Sequence, residues 1–172
     1  MTGGGGKVVI RIVVISDTHI PRKAKRIPVQ VEKAICASDM VIHAGDINEE
    51  GVLDILKGMA PLEAVSGNTD SERLKGMLGK RKVLYIEGCK IGLVHGDGVS
   101  GTTLGRVKAA FKDDGVDCAV FGHSHIPMNA SDNGVLYFNP GSPTDKRRQQ
   151  QFSYGILEIS EGKVSGEIVC FK

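Results

Sequence analysis

The chain has 172 residues, of which 41% are hydrophobic and 24% charged, and its formal net charge is +2. These values are ordinary for a globular protein, and a chain of this length buries roughly 70% of its unfolded surface. The small net charge argues against a dedicated nucleic-acid-binding surface, but a small phosphorylated substrate needs only a local positive site. Because no apolar run reaches the roughly 18 residues of a membrane span and no signal core is present, we expect a cytoplasmic protein without a membrane segment.

The four cysteines lie far apart and form no CxxC pair, which argues against a zinc ribbon or a redox motif. Three of them have apolar neighbours and are predicted to be small buried residues: Cys36, Cys118 and Cys170. The N-terminal stretch MTGGGGK is glycine-rich. We therefore expect a disordered N-terminus over residues 1–7 and a single domain over residues 8–172.

The first half of the chain predicts strands that alternate with helices. Residues 8–15 are almost continuously apolar, which indicates a strand buried on both faces. A helix follows over 28–37, with Pro28 in its first turn. The next predicted elements are a strand over 40–43, a helix from about 49 to 57 that Asn48 caps, and a strand over 62–65.

The second half predicts more hairpins than helices. The predicted elements are a hairpin of 82–87 and 90–94 around Gly88, a helix over 103–111, strands over 117–121 and 135–138, and a final hairpin of 152–159 and 164–171. This order of elements favours a layered α/β sandwich with a mixed sheet. The polar stretch 144–151 is interpreted as a mobile surface loop.

Side chains that bind metals follow five of the predicted strands. They are Asp17 and His19, Asp46, Asn68 and Asp70, His95 and Asp97, and His123 and His125. If the parallel strands share one direction, these loops meet at one edge of the sheet. Taken singly, four of the five motifs are more often an ordinary turn or strand end, whereas the two histidines of GHSH fit a metal site and an ordinary loop equally well. Four of the five histidines fall in these motifs, however, and this clustering indicates a shared site.

The donor atoms of these motifs are oxygen and imidazole nitrogen, with no thiolate. That set suits manganese, iron, cobalt, nickel or zinc better than calcium or magnesium. The set is too large for one ion. Two ions about 3.5–4 Å apart, bridged by a carboxylate and a hydroxide, would use it fully. Four glycines allow the tight turns that bring the side chains together: Gly45, Gly67, Gly96 and Gly122.

The ordered motifs D-x-H, G-D, G-N-x-D, H-G-D and G-H-x-H span residues 16–125, and NPGSP follows at 139–143. This series resembles the calcineurin-like metallophosphoesterase superfamily. Among its members the chain looks most like the small single-domain YfcE-type phosphodiesterases and the related retromer subunit of vacuolar sorting. The resemblance implies a four-layer αββα sandwich of two mixed sheets, with a dinuclear metal site at one edge.

The resemblance also implies roles for individual residues. The first metal would be bound by Asp17, His19 and His125, the second by Asn68, His95 and His123, and Asp46 would bridge the two. Asp70 would orient a ligand from behind. The expected cofactor is two divalent ions per chain, manganese first, with nickel, zinc, iron or cobalt as alternatives.

The third motif departs from the wider superfamily. Larger members have G-N-H-[DE] there, whereas this chain has Thr69 in GNTD. A hydroxyl can hydrogen-bond a phosphoryl oxygen, but it is a poor acid at pH 7. Three basic residues of the loop are further candidates for contact with the leaving group: Lys146, Arg147 and Arg148. Four more follow the first motif and could border the same edge: Arg22, Lys23, Lys25 and Arg26. A solvated surface is the favoured interpretation of both sets.

The predicted function is metal-dependent hydrolysis of a small phosphodiester by a metal-bridging hydroxide, with Asn68, Asp46 and Thr69 in catalytic positions. One alternative is a non-catalytic or weakly active binding scaffold of the retromer-subunit type. Two others are a phosphomonoesterase, which the missing motif histidine disfavours, and a nuclease, which the lack of a basic groove disfavours. The sequence leaves open whether the chain forms a homo-oligomer.

Overall fold

The computed structural model describes residues 8–172, so the predicted disorder of residues 1–7 lies outside the described residues. In chain order the elements are β1 (Ile10–Ile15), α1 (Val29–Cys36), β2 (Met40–His43), α2 (Glu50–Lys57), β3 (Leu62–Ala64), α3 (Glu72–Leu78), β4 (Arg81–Ile86), β5 (Cys89–Val94), α4 (Thr103–Phe111), β6 (Cys118–Val120), β7 (Met128–Asp132), β8 (Val135–Asn139), β9 (Phe152–Ser160) and β10 (Lys163–Phe171).

The strands of residues 8–172 form two five-stranded sheets. The first has the order β10-β9-β1-β2-β3 and the second β4-β5-β6-β8-β7. The pairs β1–β2, β2–β3, β5–β6 and β6–β8 are parallel, and the other pairs are antiparallel. Both sheets are therefore mixed, and each has a parallel centre whose strands end at one edge.

Three apolar cores separate four layers. Strand β1 shows how one apolar run serves two of them: Val13 and Ile15 pack towards α1 and α2, whereas Ile12 and Val14 face the second sheet. Such alternation follows from the two-residue period of a strand. The third core lies between α4 and the outer face of the second sheet and contains Phe111. The predicted four-layer αββα sandwich of two mixed sheets is confirmed.

Two elements were not predicted from the sequence. Helix α3 buries only Leu74, so it lacks an apolar period, although Ser71 caps it by accepting from the Leu74 backbone N–H. Strand β7 is an edge strand, exposed at every position after Met128, and no alternation marks it. No helix among residues 8–172 is both long enough and apolar enough to cross a membrane.

Three local predictions are wrong. Asn48 does not cap α2, which starts after Glu49 without a side-chain cap, because the Asn48 amide turns to Thr69 instead. Cys36 and Cys170 are exposed rather than buried, while Cys118 is buried as predicted. The stretch 144–151 is not wholly a free surface loop, since Thr144 is buried and bonded to the first motif.

Candidate metal centre

The side chains of the predicted site meet at the edge where the parallel strands of both sheets end. Asp17 and His19 follow β1, and Asp46 follows β2. Asn68 follows β3, His95 follows β5, and His123 and His125 follow β6. Short backbone hydrogen bonds join these loops: the Asp17 N–H donates to the Gly45 carbonyl and the Gly122 N–H to the His95 carbonyl. Sites in open α/β sheets form at such strand ends.

The inner cluster consists of Asp17, His19 and His125, whose donor atoms all lie within 4.8 Å of one another. The His125 Nε2 lies 3.3 Å from Asp17 Oδ1 and 3.4 Å from the His19 Nε2. All three side chains are buried. Their polar atoms therefore face one another instead of water.

A second set of donor atoms meets at Asp17, Asp46 and His95, again within 4.8 Å. The His95 Nε2 lies 3.3 Å from Asp46 Oδ2 and 3.8 Å from Asp17 Oδ1. Asp46 Oδ2 is also 3.7 Å from the His19 Nε2. The two carboxylates thus stand between His19 on one side and His95 on the other.

The rim pair, Asn68 and His123, belongs to neither set. The His123 Nδ1 lies 3.2 Å from Asn68 Oδ1, and the His123 ring stands edge-on to His95 with their centroids 5.2 Å apart. Asn68 is exposed and His123 half-buried. These two side chains face each other on the open side of His95.

Each of the three buried histidines in these donor sets is oriented by a partner on its second ring nitrogen. The His95 Nδ1 lies 2.7 Å from the Ala44 carbonyl oxygen and the His125 Nδ1 2.6 Å from that of Asp145. Carbonyl oxygens only accept, so Nδ1 carries the hydrogen in both rings. The His19 Nδ1 lies 3.1 Å from Asn48 Oδ1. Outer partners of this kind hold the Nε2 atoms towards the centre, as in metal-binding histidines.

The backbone of the site adopts left-handed conformations. Asp17, His19, Asp46, His123 and His125 have φ values of 54°, 45°, 60°, 67° and 59°. Such values are uncommon for residues other than glycine and cost roughly 1–3 kcal/mol each when they are held in place. Strain of this kind is typical of functional sites, since the surrounding fold must impose it.

Two glycines let the motif loops touch. A Cβ on Gly122 would clash with the Ser16 Oγ and would lie 2.7 Å from Asp17 Oδ2. A Cβ on Gly67 would clash with Asp46 Oδ1. Glycine is therefore required at both positions by the close approach of neighbouring ligand loops.

The carboxylates and histidines shift one another's ionisation. Burial opposes a charge on His95, but the neighbouring carboxylates of Asp46 and Asp17 outweigh it and raise the pKa of His95 to about 9. Burial likewise opposes ionisation of Asp17, yet the neighbouring His125 and the charge of His95 leave its pKa lowered. Burial and the nearby His95 lower the pKa of His123. The centre thus favours two carboxylates facing positive charge.

Two buried atoms at the centre have no hydrogen-bond partner among the described residues: Asp17 Oδ1 and His95 Nε2. An unpaired buried polar atom costs roughly 1–3 kcal/mol. These atoms lie 3.8 Å apart with Asp46 Oδ2 beside them. A cation would satisfy both, and oxygen with imidazole suits a divalent transition metal. The residues present therefore fit a metal site.

Comparison with known proteins agrees with this geometry. The family model of the calcineurin-like phosphoesterase superfamily domain matches residues 10–162. The chain belongs to this superfamily. A probable metallophosphoesterase of Methanocaldococcus jannaschii is 38% identical over 96% of this chain and 82% of its own length.

Solved structures share the phosphoesterase fold of this chain. A solution structure of a Thermotoga maritima protein is 30% identical, covers 94% of this chain and 99% of its own, and has a TM-score of 0.73. Vacuolar Protein Sorting 29 from Entamoeba histolytica, complexed with zinc, is 25% identical over 95% of this chain and 100% of its own, with a TM-score of 0.70.

Several residues that support the phosphoesterase site were not predicted. Asn48 holds His19, and the Asp145 carbonyl holds His125. Ser142 Oγ donates to the Asp17 carbonyl at 2.9 Å, and Thr144 Oγ1 to that of Thr18 at 2.7 Å. The NPGSP motif at 139–143 was the sequence feature that could have indicated Ser142, but a motif does not show which atoms its side chains contact.

The third motif acts on the Asp46 loop in this structure. Asp70 accepts hydrogen bonds from the backbone N–H groups of Asp46, Ile47, Asn48 and Gly67. The Thr69 N–H donates to Asp46 Oδ1 at 2.9 Å, and the Thr69 hydroxyl lies 2.9 Å from the Asn48 amide nitrogen. The resemblance implies that Asp70 orients a ligand from behind. In the structure Asp70 contacts the backbone of the loop that carries Asp46, and these contacts position Asp46.

Proposed function

We propose that this phosphoesterase is a metal-dependent phosphodiesterase with two divalent ions per chain. The observation that carries the proposal is the pair of unpartnered buried atoms, Asp17 Oδ1 and His95 Nε2, which lie 3.8 Å apart beside the Asp46 carboxylate. The zinc complex of the structural neighbour supports metal binding by this fold. We propose manganese as the metal, with nickel, zinc, iron or cobalt as alternatives.

In this proposal Asp17, His19 and His125 hold the first ion. Asn68, His95 and His123 hold the second, and Asp46 bridges. Support for the bridge comes from Asp46 Oδ2, which lies 3.7 Å from the His19 Nε2 and 3.3 Å from the His95 Nε2. Asp17 Oδ1 stands similarly between His95 and His125, which supports a shared role for this carboxylate too.

When bound, the two ions supply an acidified water as nucleophile and positive charge for the phosphoryl oxygens. The chain's own groups position the substrate. Asn68 is exposed at the rim, so its NH₂ can donate to a phosphoryl oxygen while its oxygen faces His123. Thr69 is exposed beside it, and its hydroxyl can reach the same substrate from its place next to Asn48.

A second candidate function is a binding scaffold. The likeness to Vacuolar Protein Sorting 29 favours it, because fold alone does not decide activity. All seven proposed ligand positions nevertheless keep coordinating side chains, and three histidines keep their orienting partners. We therefore rank hydrolysis first. Capture of a stoichiometric protein partner, with no turnover of any diester, would reverse the ranking.

The test is hydrolysis of bis-p-nitrophenyl phosphate by the purified chain. Activity should disappear with EDTA and return with Mn²⁺. Asp46→Asn should remove at least about a hundredfold of the rate, since even outer partners of a metal ligand are worth 10–100-fold. Asp54→Asn is the matched control, because Asp54 is exposed on α2 and should leave the rate unchanged.

Two outcomes decide between the alternatives. Activity that persists in EDTA or in Asp46→Asn would refute the two-metal site. A higher rate on mono-p-nitrophenyl phosphate than on the diester would favour a phosphomonoesterase. The scaffold candidate predicts no turnover of either compound with any of the five metals.

A further inference from the structure

A cavity of about 520 Å³ opens directly beside the proposed first metal site. Its lining residues are Ser124, His125, Ile126, Arg147, Arg148 and Gln149. His125 is shared with the inner cluster, where its Nε2 lies 3.3 Å from Asp17 Oδ1. A substrate held at the metal centre could therefore extend one of its substituents into this cavity.

The two arginines of the cavity, Arg147 and Arg148, have guanidinium groups without a partner in residues 8–172. Both are exposed, and neither guanidinium makes a hydrogen bond or an ion pair with another residue in 8–172. By contrast, the Arg73 Nε lies 2.9 Å from Glu50 Oε1, and Arg106 donates to the Gly96 carbonyl at 2.9 Å. Guanidinium groups bind carboxylates and phosphates in a bidentate manner, so a free pair here can hold an anion.

The backbone that carries these arginines is tied to the metal-site loops. The His125 Nδ1 donates to the Asp145 carbonyl at 2.6 Å. A turn follows at once, in which the Gln149 N–H donates to the Lys146 carbonyl at 2.8 Å. Arg147 occupies a left-handed position in that turn, with φ of 47°. Arg147 and Arg148 are thus held at the tip of a turn that begins at a partner of a proposed ligand.

One side chain of the cavity lining is apolar. Ile126 is 52% exposed there although it follows a proposed metal ligand directly. A second cavity of about 420 Å³ shares Arg148 and Gln149 with the first and is also lined by Pro127. A ligand with an apolar body and a terminal anion matches this combination of an apolar side chain and two guanidinium groups.

We propose that the cavity selects phosphodiesters in which one ester substituent has an apolar body and ends in a second anionic group, carboxylate or phosphate. Arg147 and Arg148 bind that terminal anion, and Ile126 contacts the apolar body. The inference rests on the proposed phosphodiesterase activity and names the substrate class of that same site. Neither arginine takes part in the bond-breaking step, so both are specificity residues.

The test compares three chromogenic diesters in the Mn²⁺-loaded protein: phenyl, 3-carboxyphenyl and 3-phosphonophenyl p-nitrophenyl phosphate. All three release p-nitrophenolate and differ only at the end of one substituent. We expect kcat/KM to be about tenfold higher, or more, for the two anionic compounds, as for other charge-assisted hydrogen bonds. The ratio between the carboxylate and the phosphonate shows which anion the site prefers.

The variant R147Q/R148Q should lose this preference, so that kcat/KM falls more on the two anionic diesters than on the phenyl diester. Lys112→Gln is the control, because its ammonium is exposed at the end of α4, away from the site, and removal of that charge should leave the preference intact. Equal kcat/KM for all three diesters in the unmodified protein would overturn the inference while the phosphodiesterase proposal stands.

Binding gives a readout that does not depend on turnover. In EDTA-treated protein, 3-carboxyphenyl phosphate should shift the NMR signals of the Ile126 and Gln149 amides, and phenyl phosphate should shift them less. R147Q/R148Q should abolish the difference. If no diester is hydrolysed but this difference persists, the phosphodiesterase proposal fails and the anion site remains. If the two ligands shift the signals equally, the anion site is refuted.

Discussion

The inner cluster and the rim pair of the candidate centre differ in how the fold supports them. In the inner cluster, Asp17, His19 and His125 are buried, and each histidine has an orienting partner on its Nδ1. In the rim pair, Asn68 and His123 are partly or wholly exposed and bond mainly to each other. One half of the centre is thus preorganised by the core, and the other is completed at the surface.

For the two ions of the proposed function, the difference predicts unequal binding. Preorganised ligands lose little conformational freedom when an ion binds, whereas Asn68 and His123 must rearrange their mutual hydrogen bond. We therefore expect the first ion to bind more tightly than the second. His95 and the two carboxylates connect the halves, so changes there should affect both.

The largest effect is expected from Gly122→Ala, because this substitution should disrupt both the inner cluster and the rim pair. The new Cβ would clash with the Ser16 Oγ and crowd Asp17 Oδ2, and the His123 N–H that bonds this oxygen would move as well. We expect loss of both ions and about 1–3 kcal/mol of stability, measured by elemental analysis and thermal unfolding.

Gly51→Ala is the control for that variant. Gly51 lies in α2, and a Cβ there would meet nothing within 4 Å. Helix propensity predicts a gain of about 0.5–1 kcal/mol with unchanged metal content. Normal metal content in Gly122→Ala would show that the contact between the first and fifth motifs is dispensable.

A sharper test separates the halves. His125→Ala should release the first, tightly bound ion, and His123→Ala only the second, because the two rings face different partners: His125 faces Asp17 and His123 faces Asn68. Metal titration followed by calorimetry should show one remaining site in each variant, with the weaker site left in His125→Ala. If both substitutions remove the same ion, the assignment of the two histidines is wrong.

Asn48→Gly should have a smaller effect, mainly on the inner cluster, although it also removes the hydrogen bonds from the Asn48 amide to Thr69. It removes the side-chain oxygen that lies 3.1 Å from the His19 Nδ1. Glycine tolerates the φ of 77° that the backbone has at position 48. We expect about tenfold weaker binding of the first ion in a calorimetric titration. Asn133→Gly, at another left-handed asparagine, is the control and should bind normally. An unchanged first site in Asn48→Gly would remove Asn48 from the set of orienting partners.

The smallest chemical change in this comparison is the release of one proton. The pKa of His95 in the metal-free protein is raised to about 9, so the ring is protonated at pH 7, whereas a metal requires the neutral ring. Metal affinity should therefore rise by about tenfold per pH unit until about pH 9. Calorimetry in two buffers of different ionisation enthalpy measures the protons released. Binding at pH 7 without proton release would contradict this charge arrangement.

The sequence predicted the position of the site and its main residues, because the patterns that indicate them are local. Alternation in β1, the strand ends and the ordered motifs each depend on a few adjacent residues. The same local reasoning failed at Asn48, where a helix cap was expected. Its side chain instead bonds His19 and Thr69, which are distant in the sequence, and such partners leave no periodic signal.

By itself, the sequence determined the fold class and the donor types of the centre, because residue identity sets both the pattern of burial and the ligand atoms. Only the tertiary structure decided which atoms meet. The Ser142 hydroxyl supports the Asp17 carbonyl, and the Asp145 carbonyl orients His125. The same packing places Arg147 and Arg148 beside His125 in the lining of one cavity. These contacts depend on the packing of two sheets and their loops, which is a property of the whole chain.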